Sequence, residues 1–223
     1  MKKRPILLQI VLALVPMIYF LLIWSSLPDR VPIHFNAQGV ANDWGSKMTV
    51  ATILFFFAAL SVGVSLLLLN ADKIDPKQKG KPLGKGMVMA SWAATAVMTA
   101  AGIAVVYSIS NYREGHSDNL NKFVFPLICL VFVVLGNYMN NVKPNFFFGI
   151  RTPWTLSDDD NWRKTHHLGS KLWFFGGLIM LALTIVLPVA SASFVLLGGV
   201  FVLAIIPIVY SYRLFRNKQR SQP

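Results

Sequence analysis

The side chains best suited to chemistry are concentrated in one run of the sequence. Arginine, tryptophan, histidine and aspartate cluster in residues 145–171, NFFFGIRTPWTLSDDDNWRKTHHLGSK. The run contains no nucleophile paired with a base, no glycine-rich phosphate loop and no HExxH helix. The pattern therefore predicts binding and not catalysis, and we expect no catalytic residue, no cofactor and no enzyme activity.

The most specific binding candidate in this run is Arg151. It stands between Ile150 and the sequence Thr152-Pro153-Trp154. A guanidinium group can donate two parallel hydrogen bonds to a lipid phosphate or to a partner's carboxylate. The alternative is an ordinary basic anchor at the membrane surface, and the sequence leaves both open.

The histidines and aspartates of the run do not predict a metal site. His166 and His167 are adjacent, so on a helix their side chains point about 100° apart and are a poor pair for one ion. The three carboxylates at residues 158–160 are explained by the positive end of a helix dipole. We expect His166 to pack and hydrogen-bond at an interface, with partner or ligand binding as the alternative.

The same run predicts the start of a helix. Ser157 can cap it, and the aspartates that follow complement its first turn. Trp162, His166 and Gly169 then recur on one face at helical spacing and lead into an apolar stretch. Residues 145–154, rich in phenylalanine, have a composition suited to the headgroup layer of a bilayer.

Composition places these elements in a membrane. The 223 residues are 55% hydrophobic and 13% charged, with a mean hydropathy of +0.55. Such a composition is typical of an integral membrane protein. The apolar runs predict one polytopic membrane domain over residues 1–223, an all-α bundle of six transmembrane helices. The predicted spans are 5–26, 48–70, 87–110, 123–141, 172–189 and 193–212.

Basic residues predict the orientation of the spans. Six crossings put both termini on one side, and 17 of the 21 Lys and Arg residues fall on that side. The positive-inside rule therefore places both termini and residues 142–171 in the cytoplasm, and the loop 27–47 outside. Because topology explains the net charge of +12, no direct nucleic-acid binding is expected.

Polar and small residues inside the spans are expected to serve packing. The absence of charged residues there argues against an ion-coupled pump. The polar residues expected to hydrogen-bond between helices are Ser61, Ser65, Thr95, Thr99 and Asn137. The small residues expected to mark close helix contacts are Ala59 with Gly63, and Ala96 with Ala100 and Ala104.

The outer loop has an order of its own. Pro28 and Pro32 favour an extended course through residues 31–35, and turns are expected at 37–39 and 42–45. We expect a compact loop resting on the bundle, with its tryptophan at the interface. The alternative is an open strand edge that accepts a peptide by strand addition.

Two blocks of the sequence carry a family resemblance. The first is LPDRVPIHFN at 27–36, followed by Gly39, Asp43 and 45–47. The second is GIRTPWTLS at 149–157, with Asn145, Trp162, Thr165, His166 and Gly169 around it. Together they resemble the SdpI family, membrane immunity proteins against a secreted bacterial killing peptide. The first block is similar to the poorly characterised domain that often forms the N-terminal half of such proteins, and with the spans the resemblance covers almost the whole chain.

The resemblance implies a function at both faces of a bacterial cytoplasmic membrane. The family's named member protects the producing cell from a toxin that collapses the proton gradient. It also holds a small winged-helix autorepressor at the membrane once toxin binds. By resemblance, the toxin-facing residues of this chain would be His34, Phe35, Asn36, Asp43 and Trp44. The cytoplasmic, partner-facing residues would be Asn145, Gly149, Arg151, Thr152, Pro153, Trp154, Trp162 and His166. The implied partners are therefore membrane lipids, a secreted peptide toxin and a small winged-helix repressor.

Two other functions stay open. A small transporter or channel for a neutral substrate needs no buried charge. A membrane factor acting on lipid headgroups would turn Arg151 and His166 towards those headgroups. A non-enzymatic immunity protein and receptor is the interpretation that both the residues and the resemblance favour.

Overall fold

The protein is a helical bundle with one small hairpin. A computed structural model describes residues 6–36, 41–112 and 121–220. The helices are α1 Ile6–Leu22, α2 Lys47–Leu69, α3 Ala71–Ile74, α4 Lys85–Ser110, α5 Asn121–Met139, α6 Pro153–Ser157, α7 Asp159–Val186 and α8 Val189–Arg220. The strands are β1 Arg30–Phe35 and β2 Ala41–Ser46.

The long helices confirm a multi-pass membrane protein. Within the described residues, five helices are long and apolar enough to cross a membrane: α2, α4, α5, α7 and α8. Helix α1 is apolar but has only 17 described residues, at the short end of membrane-spanning lengths. Six crossings and cytoplasmic termini therefore remain predictions. The basic residues at positions 2–4, which entered the charge count, lie outside the described residues.

The helix boundaries correct the prediction around residue 157. Ser157 is the last residue of the short helix α6 and does not cap α7. Asp158 is the cap, since its carboxylate accepts hydrogen bonds from the backbone N–H groups of Asp160 and Asn161. Helix α7 therefore begins at Asp159, one residue later than a cap at Ser157 would give, and its polar first half continues into the apolar half as predicted.

Two groups of three helices form the bundle. Helices α1, α2 and α4 pack together, and helices α5, α7 and α8 form the second group, with α4 and α5 in contact between them. A close approach of two helices lies at Gly136, where a Cβ would be 2.4 Å from the backbone nitrogen of Phe174. Three of the small residues predicted to mark close contacts do not do so: Gly63 has no atom within 4 Å of a Cβ position, and Ala59 and Ala96 are exposed. Ala100 and Ala104 are half-buried, and for them the prediction stands untested.

Polar side chains join the first group of helices. The Ser65 and Thr95 hydroxyls are 3.0 Å apart, and the Thr99 hydroxyl donates to the carbonyl of Leu12 at 3.0 Å. These bonds confirm three of the predicted interhelical residues. Ser61 is buried, but its hydroxyl has no partner among the described residues, and Asn137 is exposed.

An antiparallel hairpin covers one end of the first group. Strand β1 is buried at Val31 and Pro32, and Val31 belongs to a core with Phe20 and Val106. Residues 42–45, predicted as a turn, belong instead to the exposed strand β2, because pairing with β1 overrides their local preference for turns. The turn predicted at 37–39 lies outside the described residues. The all-α prediction therefore missed a small β element.

Candidate functional site

The two ends of the bundle carry the candidate residues. The hairpin end is formed by β1, β2 and the neighbouring helix ends. The motif end is formed by residues 70–84, residues 140–158, and the parts of α4, α7 and α8 that contact them. The thirteen residues predicted as site residues divide between these two ends.

Asn145 organises the loop of the motif end from inside. Its side chain is fully buried. The amide nitrogen donates to the carbonyls of Lys143 and Phe148, both at 2.9 Å. The amide oxygen accepts from the N–H groups of Phe147 and Phe148, at 2.8 and 2.6 Å. All four hydrogen-bonding positions of the amide are used within the loop, so Asn145 is a structural residue and does not face a partner.

Gly149 and His166 form a close contact that fixes the loop on α7. Gly149 has a φ of +118°, and a Cβ there would lie 2.3 Å from Nε2 of His166. That nitrogen accepts the backbone N–H of Ile150 at 3.0 Å, while Nδ1 lies 2.8 Å from the carbonyl of Trp162. Nδ1 must therefore donate and Nε2 must accept, which requires a neutral imidazole. With both nitrogens engaged, His166 has the packing role that we expected and no free position for a ligand.

Trp162 packs against the contact between Gly149 and His166. Its ring stacks on the ring of His166, with centroids 4.0 Å apart and an angle of 16°. The indole N–H donates to the carbonyl of Val142 at 2.8 Å, and the side chain is only 2% exposed. Trp162 therefore anchors the end of α5 to the first turns of α7.

Residues 152–157 form a capped helical turn that packs against α8. Thr152 and Thr155 form a reciprocal capping box at the start of α6, and Pro153 occupies the first turn. The indole N–H of Trp154 donates to the Ser211 hydroxyl at 2.6 Å, and the ring packs against Tyr212. Trp154 is thus half-buried against α8. The expectation that it lies in the headgroup layer stays a prediction.

Arg151 and Pro153 are the two predicted residues of the motif end that are exposed. The guanidinium of Arg151 donates to the carbonyl of Phe146. Of the carboxylates in the described residues, none pairs with Arg151. Arg151 is exposed, and its other N–H donors make no hydrogen bond to a described residue.

Asp75 is a site residue that sequence reasoning missed. Its carboxylate is fully buried and accepts the N–H of Lys77 at 2.8 Å and the N–H of Phe146 at 2.6 Å. Gln78 adds a bond from its amide to the carbonyl of Pro144 at 2.7 Å, and the Lys77 ammonium donates to the carbonyl of Leu156. The loop of residues 70–84 is thereby fixed on residues 144–156. In the sequence, Asp75 is marked only by its place in a lysine-rich loop. That signal is weak, because the burial of the carboxylate is visible only in the fold.

One ion pair ties the start of α7 to the end of α8. The Lys218 ammonium lies 2.8 Å from the carboxylate of Asp158. Hydrogen bonding to Lys218 is the main cause that lowers the pKa of Asp158, and the backbone N–H groups that it caps lower the pKa further. The carboxylate therefore stays ionised at neutral pH and can both cap the helix and hold Lys218.

The hairpin end contains its five predicted residues: His34 and Phe35 in β1, Asn36 directly after it, and Asp43 and Trp44 in β2. His34 Nδ1 and the Asn42 side-chain oxygen are 2.6 Å apart, joining β1 to β2. Asp43 accepts the N–H of Trp44 at 2.8 Å. Phe35 and Trp44 both contact the ring of Tyr112, with centroids 6.3 and 5.1 Å away. Tyr112, at the end of α4, was missed because its loop position gave no hint of the hairpin.

A cavity lies between the hairpin and the helices. It measures about 280 Å³, and its walls include Ile33 and Phe35 of β1, Phe57 of α2 and Ile109 of α4. The polar lining comes from His34 and Asn121. A cavity of this size and composition is suited to an apolar side chain and is below the usual volume of a drug-sized ligand site.

Comparisons with known proteins agree with this geometry. The family described as SdpI/YfhL protein family matches residues 141–211, the region that contains the motif end from Asn145 to Ser211. This part of the chain is therefore similar to the SdpI/YfhL protein family. A domain of unknown function, DUF1648, matches residues 11–60, which include the hairpin. The resemblance of the chain to the SdpI family is confirmed by these two matches together with the following relative.

One relative is similar along most of its length. The chain is 21% identical to the Immunity protein SdpI of Bacillus subtilis (strain 168) over 184 residues, which cover 82% of each chain. No solved structure matches the chain. The SdpI-type region therefore coincides with the buried network of Asn145, Trp162 and His166.

Proposed function

We propose that the chain is a membrane immunity protein and receptor that binds a secreted antimicrobial peptide at the hairpin end. The observation that carries the proposal is the hairpin itself, whose outer strand β2 is exposed and pairs on one side only with β1 within the described residues. The similarity to a protein named for immunity supports the same interpretation. Binding without catalysis fits a motif whose buried histidine has both nitrogens engaged.

Charge supports the orientation that this function needs. The motif end contains the lysine-rich loop 70–84 and the basic end of α8, whereas Arg30, Lys47 and Lys122 are the basic residues of the hairpin end in the described part of the chain. The positive-inside rule then directs the hairpin outward and the motif end to the cytoplasm. A secreted peptide therefore meets the hairpin first.

The hairpin offers two modes of peptide recognition. The free edge of β2 can pair with an extended peptide through backbone hydrogen bonds. On the other side of the hairpin, the cavity bordered by Ile33 and Phe35 accepts an apolar side chain. Trp44, 37% exposed, adds an aromatic contact beside the free edge.

The motif end provides the cytoplasmic half of the function. Arg151 and Pro153 are its exposed motif residues, and the free donors of Arg151 suit a partner carboxylate. We place a small repressor protein at this surface, in line with the resemblance. Since the spans hold no charge that could relay a signal, peptide binding would reach this surface through helix packing.

Peptide binding to purified protein tests the proposal. A labelled, secreted killing peptide is titrated against the chain in lipid nanodiscs, and fluorescence anisotropy gives the Kd. Trp44→Ala should raise Kd roughly tenfold or more, since exposed aromatic anchors dominate such interfaces. Met48→Ala, an exposed residue two positions after β2, serves as the control and should leave Kd unchanged. Equal affinity of Trp44→Ala and wild type would remove the hairpin from the binding site.

A further inference from the structure

The motif end carries a set of cations that no carboxylate neutralises. Five lysines in or next to its two loops are exposed and form no ion pair with any described residue. They are Lys73, Lys79, Lys81, Lys85 and Lys143. By contrast, Lys164 and Lys218 of the same end are paired with Asp160 and Asp158. The unpaired lysines are therefore concentrated where the loop of residues 70–84 meets residues 140–146.

A cavity opens between two of these lysines. It measures about 400 Å³ and is lined by Lys85, Lys143, Asn141 and Gln78, among others. The lysines come from two different loops, and the bond from Gln78 to Pro144 holds those loops together at 2.7 Å. With two lysines among its lining residues, the open cavity is suited to an anion with several oxygen atoms.

Apolar side chains beside the cationic loops point to the source of that anion. Ile74, at the end of α3, is 49% exposed, and Phe146, in the loop after α5, is 41% exposed. Both loops directly follow apolar helices, α2 and α5, so they lie at the level where a bilayer passes from acyl chains to headgroups. Exposed apolar side chains next to unpaired lysines are typical of surfaces that contact anionic lipid.

We propose that this cavity binds the headgroup of an anionic phospholipid, with Lys85 and Lys143 contacting its phosphate and Ile74 and Phe146 contacting the neighbouring lipid. The lipid holds the two loops of the motif end in one arrangement. This role concerns lipid and not the peptide at the opposite end, so it stands independently of the proposed immunity function.

Lipid retention in native mass spectrometry tests the site. The full chain in detergent is mixed with equal amounts of phosphatidylglycerol and phosphatidylcholine, and the retained lipids are counted. The wild type should retain phosphatidylglycerol with a preference on the order of tenfold, given two lysines near one headgroup. The double variant Lys85→Gln/Lys143→Gln should lose the preference, and Lys85→Arg/Lys143→Arg should keep it.

Two controls distinguish binding in the cavity from a diffuse effect of charge and from binding of free phosphate. Lys164→Gln/Lys171→Gln removes two positive charges from the same end and should keep the preference for phosphatidylglycerol. If this variant also loses the preference, the effect is one of diffuse charge and the proposal is overturned. Inorganic phosphate at millimolar concentration should not displace the lipid, and full displacement would assign the cavity to free phosphate. Equal retention of the two lipids by the wild type would also overturn the proposal. Size-exclusion chromatography and thermal unfolding confirm that each variant is folded.

Discussion

At the scale of single residues, the motif end is built by side chains that each satisfy several backbone groups. The Asn145 side chain forms hydrogen bonds with four backbone groups, and the side chains of His166 and Asp75 each form hydrogen bonds with two. A loop without regular structure must satisfy its backbone groups in this way when it is buried. The unusual residues of this region are therefore explained mainly by the hydrogen bonds that fold the loop. Arg151 and Pro153 are exceptions, because their side chains are exposed.

Replacing Gly149 tests the contact with His166. In Gly149→Ala, the new methyl group would overlap Nε2 of His166 and the backbone would have to keep a φ of +118°. We expect a loss of about 2–4 kcal/mol in the free energy of unfolding. Thermal and chemical unfolding in detergent measure the change. Gly63→Ala is the control, because nothing lies within 4 Å of that Cβ position; equal stability of the two variants would contradict the contact.

Replacing Asp75 tests how the two loops are joined. In Asp75→Asn, only one side-chain oxygen remains, so one of the two bonded N–H groups loses its acceptor. The expected cost is about 1–3 kcal/mol, the range for a buried hydrogen bond to a charged group. Hydrogen exchange of the Phe146 and Lys77 amides should become faster. Asp159→Asn, at an exposed position, should leave both exchange rates unchanged, and unaltered exchange in Asp75→Asn would show that the carboxylate does not fix the loop.

At the scale of elements, hydropathy predicted the long helices but not their polar ends. The apolar parts of α2, α4, α5 and α8 were recognised because each needs about twenty apolar residues. The polar start of α7 was predicted from the aspartates at 158–160 and the spacing of Trp162, His166 and Gly169, and only its cap was wrong, because Asp158 and not Ser157 accepts the first backbone N–H groups. The hairpin was missed because Asn42 and Asp43 locally favour turns, whereas pairing with β1 decides.

The site could be predicted as a region but not residue by residue. The unusual composition of residues 145–171 marked a region that lies within the SdpI/YfhL match. Whether Asn145 and His166 face a partner or the interior depends on their bonds to Phe148 and Ile150, which form only in the folded loop. The residues that the sequence analysis chose for the motif end are therefore distinctive in type, but most of their side chains are not exposed.

Replacing Gly136 tests the close contact between α5 and α7. In Gly136→Ala, the methyl group would lie 2.4 Å from the backbone nitrogen of Phe174, so α5 and α7 must move apart. We expect a loss of about 1–3 kcal/mol, typical of overpacking. The midpoint of thermal unfolding in detergent measures it. Gly198→Ala in α8, where the same Cβ position meets nothing within 4 Å, is the control and should not be destabilised.

At the scale of the whole molecule, two halves meet at the motif end. The first half, α1 to α4 with the hairpin, includes the DUF1648 match, and the second half, α5 to α8, includes most of the SdpI/YfhL match. Asp75, Lys77 and Gln78 connect the first half to the loop of the second. We propose these bonds as the route by which the receptor would link the packing of α2 and α4 to Phe146 and Arg151.

Survival under peptide challenge tests the central claim most directly. A sensitive bacterium expressing the chain is exposed to a secreted killing peptide, beside strains that carry an empty vector or an Arg151→Ala variant of equal membrane abundance. The account predicts that the wild type protects, and that Arg151→Ala protects less because the motif end takes part. Killing of the wild-type strain at the same peptide concentration as the empty-vector strain would contradict the proposed immunity function, while the fold and the lipid site would stand on their own tests.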